Sequence, residues 1–447
     1  MPLSIDGKRV AVIGGARSGI GAAKLVKRLG GYALVSDTKP LEVLSSVVEE
    51  LRVAGIEMET GGHRRVVEEP FDIVVLSPGV VPKPELEQAW RERNIPIWSE
   101  LELSARASTN RWIGVTGSNG KTTTVHLIAD MLKHAGMDVQ MAGNVGTAWS
   151  GLLPAPESRV FVVEVSSFQL ENSPTVHPQV AVLLNLYENH LDRHGTMQVY
   201  AELKSRLFRN QNASDVAVFN AEDALVREIE RAVSSRVVRF GRTPESEFWA
   251  EPDRLACRID GREQALISRA DFPLIGRHNE MNAVAAAAAA FSFGASLEAI
   301  HDALHEAKAV EHRIEYVVTR NGVAYYNDSK STNMVATMTA LDSFSHDVIL
   351  LFGGRPKKES FAPLANRIPV PVKKMIIFGE AIPKLRGDLP AGLPVAEAAT
   401  MEQAVALARG IATEGDTVLL SPGCTSFDEF NNFEERGRIF KSLVRGS

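Results

Sequence analysis

Cysteine is scarce in this chain: only Cys257 and Cys424 occur in 447 residues. One widely separated pair is no disulfide framework, and it points to a reducing compartment. No long basic run occurs, and the net charge is −6. That excludes a broad nucleic-acid or membrane-surface footprint, while a local basic pocket for a phosphate remains compatible with it. The first residues, Met1-Pro2-Leu3-Ser4-Ile5-Asp6-Gly7-Lys8, lack the charged-then-apolar layout of a signal peptide. The longest small-apolar run, residues 283–291, is too short to cross a bilayer and reads as a buried helix whose alanines permit close packing. There is no low-complexity tract and no short repeat. The expectation is a cytoplasmic protein that handles small molecules, with no nucleic-acid or membrane partner.

What is present is ordinary globular composition, 45% hydrophobic and 23% charged, in a chain long enough for about three domains. Short apolar runs alternate with amphipathic stretches throughout, the pattern of parallel sheets covered by helices. Strands are expected at 9–13, 33–36 and 73–76, then at 160–165, 180–185 and 216–220, then at 348–354, 374–379 and 417–423. The segment 104–110 reads as a linker, and the Arg-rich stretch 236–275 as a small subsheet. The fold class expected is α/β, with three consecutive α/β domains: Rossmann-like at 1–107, P-loop ATPase-like at 108–309 and Rossmann-like at 310–447.

The most informative stretch is Ile113-Gly114-Val115-Thr116-Gly117-Ser118-Asn119-Gly120-Lys121-Thr122-Thr123-Thr124. An apolar strand, a glycine-cornered loop and a helix N-terminus make a phosphate cradle. Backbone N–H groups point inward, the helix dipole adds positive potential and Lys121 adds a full charge. Thr122 offers a hydroxyl where a phosphate-bound Mg²⁺ needs one. The loop is a shorter form of the usual nucleotide loop, because Val115 stands where the strict pattern has glycine.

A second glycine-rich turn, Gly15-x-x-x-Gly19-x-Gly21 with Asp37 ending the next strand, is similar to the fingerprint of short-chain dehydrogenases. Tyr200-x-x-x-Lys204 has the spacing of their catalytic pair. An oxidoreductase is disfavoured, since the phosphate loop lies between the glycines and the tyrosine. A Gly-rich helix start also accepts a sugar nucleotide equally well.

Further along, Glu164 ends an apolar strand, where a carboxylate needs a cation or donors; a Mg²⁺ ligand is the simplest answer. The run Asn185-Leu186-Tyr187-Glu188-Asn189-His190-Leu191-Asp192-Arg193-His194 crowds polar groups directly after a buried strand, where parallel sheets place active sites. His190 could ligate metal through a neutral ring nitrogen. Lys204, on composition alone, reads as a solvated helix lysine.

Taken together these residues resemble the Mur ligases, ATP-dependent amide-forming enzymes of peptidoglycan precursor synthesis. The loop Thr116 to Thr123 matches the family's Thr-Gly-x-Asn-Gly-Lys-[ST]-[ST]. Asn327-Asp328-Ser329-Lys330-Ser331-Thr332-Asn333 looks like the form found in the branch that adds D-glutamate to UDP-N-acetylmuramoyl-L-alanine. Ser77-Pro78-Gly79, Gly143-Asn144-Val145-Gly146, Glu164 to Leu170, His278-Asn279-x-x-Asn282, Glu311-His312-Arg313 and Ser421-Pro422 also fit, in order.

The resemblance implies roles position by position. Gly117, Ser118, Asn119, Gly120, Lys121, Thr122 and Thr123 would hold ATP phosphates, with Asn282, Arg313 and Asp328 on the base, phosphates and ribose. Thr122, Glu164, His190 and Lys204, the last as a carbamate, would hold two Mg²⁺ ions. Lys121, Glu164, His190 and Lys204 form the implied catalytic set. Ser18, Asp37, Thr38, Ser77, Gly79, Asn144 and His190 would line the UDP-sugar path, and Lys330, Thr332, Lys357, Ser426 and Phe433 the D-glutamate pocket. The family's Asp-His is Asn189-His190 here, and its Gly-Gly-Asp-Gly-Lys is Gly353-Gly354-Arg355-Pro356-Lys357, followed by Lys358, which adds positive charge suited to a dicarboxylate. A monomer is implied, with closure of the C-terminal domain about a hinge near Val310. The rival readings are a sibling ligase adding another amino acid such as L-glutamate, the dehydrogenase, and a binding module that kept the fold without turnover.

Overall fold

The structure, a computed structural model, describes residues 5–144, 146–345, 347–358, 360–366, 371–390 and 392–446. Val145, in one of the quoted motifs, lies outside the described residues. Among these residues three sheets form, and contacts divide the chain into two compact units. One runs up to residue 272 and takes in 281–306; the other holds 273–280 and the chain from 307 onward. No helix among the described residues is long and apolar enough to cross a membrane.

The first unit carries two sheets. The first contains β1 (Arg9–Ile13), β2 (Tyr32–Asp37), β3 (Glu57–Thr60), β4 (Ile73–Leu76) and β5 (Ile97–Ser99). All neighbours are parallel in the order β3-β2-β1-β4-β5. Strand order reverses between β1 and β4, and a crevice for ligands opens at such a point. Strands β1 and β4 are almost wholly buried because helices cover both faces, which explains their unbroken Val/Ile/Ala/Leu runs.

The second sheet has nine strands: β6 (Trp112–Thr116), β7 (Val139–Gly143), β8 (Val160–Glu164), β9 (Val180–Leu183), β10 (Val216–Asn220), β11 (Arg236–Gly241), β12 (Phe248–Ala250), β13 (Arg254–Ile259) and β14 (Arg262–Ser268). Strand β6 lies between β8 and β9, parallel to both. The stretch expected as a separate subsheet is a continuation of this one: β11 pairs parallel with β10, and β12 to β14 finish the edge as an antiparallel meander. Alternating burial along β11 explains why it reads as irregular.

The expected linker at 104–110 is also corrected. The helix Glu100–Ala107 includes most of it, and Ser104 is fully buried with its hydroxyl donating to the Glu100 carbonyl at 2.8 Å. Its small polar residues are there to pack closely. One apolar cluster joins Val10, Val12 and Trp98 to Trp112, Trp149 and Phe161, so the first two sheets share a core. The alanines from Ala283 to Ala290 are all fully buried, as the sequence suggests.

The second unit carries the third sheet: β15 (Glu315–Arg320), β16 (Val323–Asn327), β17 (Val348–Gly353), β18 (Val372–Phe378), β19 (Val395–Ala398) and β20 (Thr417–Gly423), ordered β15-β16-β20-β17-β18-β19. Only the β15–β16 hairpin is antiparallel. Separate apolar clusters lie on its two faces.

Candidate active site

The phosphate loop forms as the sequence predicts. Strand β6 ends at Thr116, Gly117 and Gly120 take φ of +149° and +84°, and the helix Lys121–His134 begins. Only glycine adopts such angles at little cost. A Cβ on Gly120 would also lie 2.2 Å from Asn282 Oδ1, so this loop packs directly on the helix Arg277–Phe293. A network that the sequence does not advertise fixes the loop. Asn185 accepts from the Asn119 N–H through Oδ1 (2.9 Å), and its backbone carbonyl accepts from the Ser118 N–H (3.0 Å). The Ser118 hydroxyl donates to the Tyr187 carbonyl (3.0 Å) and lies 3.2 Å from the Tyr200 hydroxyl.

Lys121 Nζ donates to the Gly117 and Ser118 carbonyls, at 2.9 and 3.0 Å. Beneath the loop, Lys204 Nζ donates to the Gly117 carbonyl (3.0 Å) and reaches Thr116 Oγ1 (3.3 Å). Lys204 is only 1% exposed. The solvated-lysine reading is therefore overturned: the helix Met197–Ser205 turns this side chain inward, where burial and the Lys121 ammonium hold its pKa well below the ordinary lysine value, opposed by Glu164. Lysine's helix propensity hides this, because the same residue suits a wet or a dry face.

Glu164 ends β8 and is 3% exposed. One oxygen accepts from the Thr122 hydroxyl (2.8 Å) and the other from the Asn144 amide (2.9 Å). Buried hard oxygens from a hydroxyl and a carboxylate, beside a phosphate loop, fit the donor set of Mg²⁺. His190 differs from this group in exposure. It is exposed, has a φ of +54°, and its ring lies 4.9 Å from that of Phe168. Next to it, the Asn189 amide bonds Tyr200, whose hydroxyl titration is raised chiefly by burial. The neighbouring His194 is buried and meets the Ser167 hydroxyl at 3.0 Å, and burial chiefly holds its pKa below the ordinary histidine value, opposed by Glu171.

Tyr200-x-x-x-Lys204 thus has a structural basis unlike the one its spacing suggests. Both side chains are buried, Lys204 Nζ lies 4.7 Å from the Tyr200 ring centre, and both brace the phosphate loop.

At the end of β1, the other glycine turn is built differently. The Gly15 N–H donates to Asp37 Oδ2 at 2.7 Å, and the Lys39 N–H to Oδ1 at 2.9 Å. The Ser77 hydroxyl donates to the Gly14 carbonyl (3.0 Å), and Gly19 packs so tightly that a Cβ would meet that same carbonyl. Ser18 is half-buried, and Thr38 and Gly79 are exposed around these strand ends, whereas the exposed Asn144 follows β7 in the second sheet.

The second unit gathers the remaining predicted residues. Asp328 follows β16 and is buried; Ser331 and Ser421 hydroxyls donate to Oδ2 (2.5 and 2.7 Å) and the Ile314 N–H to Oδ1 (3.2 Å). Burial pushes its carboxyl up to about 6, against those donors and the Arg313 charge. Lys330 Nζ lies 5.6 Å from the Phe433 ring centre. Arg436, which has no sequence signal, is fully buried. It donates to the Ser329 hydroxyl (3.0 Å), the Ser329 carbonyl (2.8 Å) and the Cys424 carbonyl (3.1 Å), tying together the turns that carry Lys330 and Ser426. Ser426 is buried, Thr332 half-buried and Lys357 exposed. Arg355 pairs with Glu380 at 2.8 Å, so that part of the expected extra positive charge is offset.

Residues 115–290 match the Mur ligase middle domain, and 312–424 the Mur ligase glutamate ligase domain. A UDP-N-acetylmuramoylalanine–D-glutamate ligase of Koribacter versatilis is 41% identical over 447 residues, covering 99% of this chain and 98% of the relative. The protein of the same description from Bacillus mycoides is 41% identical over 443 residues, covering 98% and 97%. Among solved structures, a pseudomurein peptide ligase type C from Methanothermus fervidus aligns with TM-score 0.60 at 19% identity, covering 98% of this chain and 100% of that one. A MurF ligase from Thermotoga maritima in complex with ADP aligns with TM-score 0.60 at 17% identity, covering 86% and 92%. The structural likenesses carry the fold; the end-to-end sequence likeness carries the kinship, and by it the chain belongs to the Mur ligase family.

Proposed function

We propose that the protein joins D-glutamate to UDP-N-acetylmuramoyl-L-alanine with cleavage of ATP to ADP and phosphate. The observation that carries the reading is the cluster of buried Thr122, Glu164 and Lys204 with half-buried Lys121 around one phosphate loop. Full-length relatives described as D-glutamate ligases support the substrate pair.

The physical problem is that a carboxylate must attack a triphosphate, and both are anions. Loop N–H groups, the helix dipole and Lys121 meet the phosphate oxygens. Two Mg²⁺ ions, when bound, would supply further charge neutralisation and orient the phosphate oxygens; Thr122, Glu164, His190 and Lys204 are the proposed ligands. Lys204, whose pKa burial and the Lys121 ammonium hold well below the ordinary lysine value, attacks CO₂ in its neutral form, loses a proton and becomes a carbamate, so a second carboxylate joins Glu164.

The substrate carboxylate oxygen then bonds the γ-phosphorus as the bond to ADP breaks. The amine of D-glutamate attacks the resulting acyl carbon, phosphate leaves with the C–O electron pair, and the amine proton is released. Exclusion of water protects the acyl phosphate. Asn282, Arg313 and Asp328 are assigned to the nucleotide, Ser18, Asp37, Thr38, Ser77, Gly79 and Asn144 to the UDP-sugar, and Lys330, Thr332, Lys357, Ser426 and Phe433 to D-glutamate. Domain boundaries at 107/108 and 309/310, a cytoplasmic location and a monomeric state belong to the same proposal. The test is ADP release with UDP-N-acetylmuramoyl-L-alanine and each glutamate enantiomer. Release only with the D form is expected; equal or preferential turnover of L-glutamate overturns the substrate assignment.

A further inference from the structure

The helix Leu297–His305 carries a histidine pair that none of the roles above uses. Ser296 starts the helix, its hydroxyl accepting from the Ala299 N–H at 3.2 Å. Ala299, Ile300, Ala303 and Leu304 are buried, and the helix packs against the phosphate-loop helix Lys121–His134. The opposite face is left to solvent: Glu298, His301, Asp302 and His305 are all exposed. Side chains four residues apart share one face of a helix, so His301 and His305 are neighbours across a single turn. Their ring centres are 6.4 Å apart and their planes lie 19° from parallel.

The chemistry of the pair suits a cation. His301 Nδ1 lies 3.1 Å from Asp302 Oδ1. An ionised carboxylate only accepts, so Nδ1 carries the proton and Nε2 of the neutral ring keeps its lone pair. A carboxylate behind one ring nitrogen is the usual support of a histidine that ligates through the other. Among the described residues His305 has no hydrogen bond or ion pair, which leaves its ring nitrogens open to a ligand. Nitrogen–metal bonds of about 2.0–2.1 Å let two imidazoles on one ion hold their ring centres up to roughly 6.5 Å apart, and this pair stands within that span. Glu298, one turn back, and the carbonyl end of the helix add negative potential.

We propose that His301 and His305 form a surface site for a late first-row divalent cation of the zinc class, held by Nε2 of His301 and one ring nitrogen of His305, with water completing the shell. Imidazole pairs select such ions over Mg²⁺, whose preferred donors are the hard oxygens found beside the phosphate loop. Two histidines four residues apart on one helix face are the arrangement that zinc-binding helices use. The bound ion ties down the last turn of a helix that is also joined to its neighbour, where His134 Nε2 lies 3.5 Å from Glu306 Oε2.

Calorimetric titration of the full chain with Zn²⁺, with excess Mg²⁺ present throughout, tests this. Wild type is expected to bind one Zn²⁺ that either His301→Ala or His305→Ala weakens about 10-fold or more. Because both rings act on one ion, the double variant should lose that single equivalent and no other. Asp302→Ala should weaken it about 10-fold, the scale of losing the carboxylate behind a ligating ring. Without Zn²⁺ all the variants should melt with wild type, since only exposed side chains change, and Zn²⁺ should raise Tm most in wild type. Equal Zn²⁺ affinity and stoichiometry in wild type and both single variants overturns the proposal. So does a double variant that loses two equivalents, which would mean two separate histidines each binding alone.

Discussion

Two glycine-rich strand-to-helix turns lie in the same unit and share one apolar core, yet they are armed differently. At the end of β1 the Gly15 N–H is already taken by a carboxylate, Asp37. At the end of β6 the turn carries Lys121 on its rim and Lys204 beneath, with Glu164 hydrogen-bonded to Thr122 at its helix start. Backbone geometry alone makes both turns anion-tolerant. Charge separates them: the first holds a fixed acid that accepts from backbone N–H groups, and the second gathers two lysines around its loop. A glycine fingerprint therefore identifies an anion-tolerant corner, and the side chains around it set its charge.

The largest effect should come from the second turn. Lys204→Ala is expected to reduce ligase turnover by at least ~10³-fold, since on the proposed reading it removes a metal ligand, and it leaves a cavity beneath the loop, with formate or acetate restoring part of the rate. Full activity in that variant, measured by ADP release, would end the metal-ligand reading. Lys121→Ala should lower turnover ~10²–10³-fold, the scale of one transition-state donor, with little change in UDP binding. At the first turn, Asp37→Asn should raise KM for the UDP-sugar about 10-fold while KM for ATP stays put; a change in both would mean that the two corners are not independent.

The smallest effect concerns the seam behind both turns. Glu100 is 1% exposed; its Oε1 accepts from the Ser150 N–H (2.7 Å) and the Ser104 hydroxyl (3.1 Å). Burial raises its pKa, opposed only by these serine donors. An acid whose folded pKa is raised contributes stability that is fully present below the unfolded value, near 4.5, and is lost as pH rises toward the folded one. Glu100→Gln should therefore melt at an increasing margin above wild type as pH rises, with UDP and ATP binding unchanged. A constant or shrinking margin across a pH series of thermal melts would contradict this.

Much of this was readable in the chain, for reasons that differ by region. The parallel strands and the phosphate loop announce themselves because burial on both faces forces unbroken apolar runs, and positive φ forces glycine at Gly117 and Gly120. Lys204 was misread without the family resemblance, because burial of a lysine depends on neighbours contributed by distant strands. Arg436 left no trace, and Asn185 showed only as the first residue of a polar run with no role attached, since a side chain that bonds backbone carbonyls or N–H groups has no spacing rule. The segment 104–110 misled for the opposite reason: small polar residues suit a linker and a tightly packed helix end alike.

The central claim is that the cluster at Lys121, Glu164 and Lys204 lets a carboxylate take a phosphoryl group before the amine arrives. It is tested most directly by turning over UDP-N-acetylmuramoyl-L-alanine labelled with ¹⁸O in its carboxylate and reading the released phosphate by ³¹P NMR or mass spectrometry. One ¹⁸O per phosphate formed is the predicted result, because the attacking oxygen departs with phosphorus. Phosphate free of label, with amide product still formed, would contradict the account.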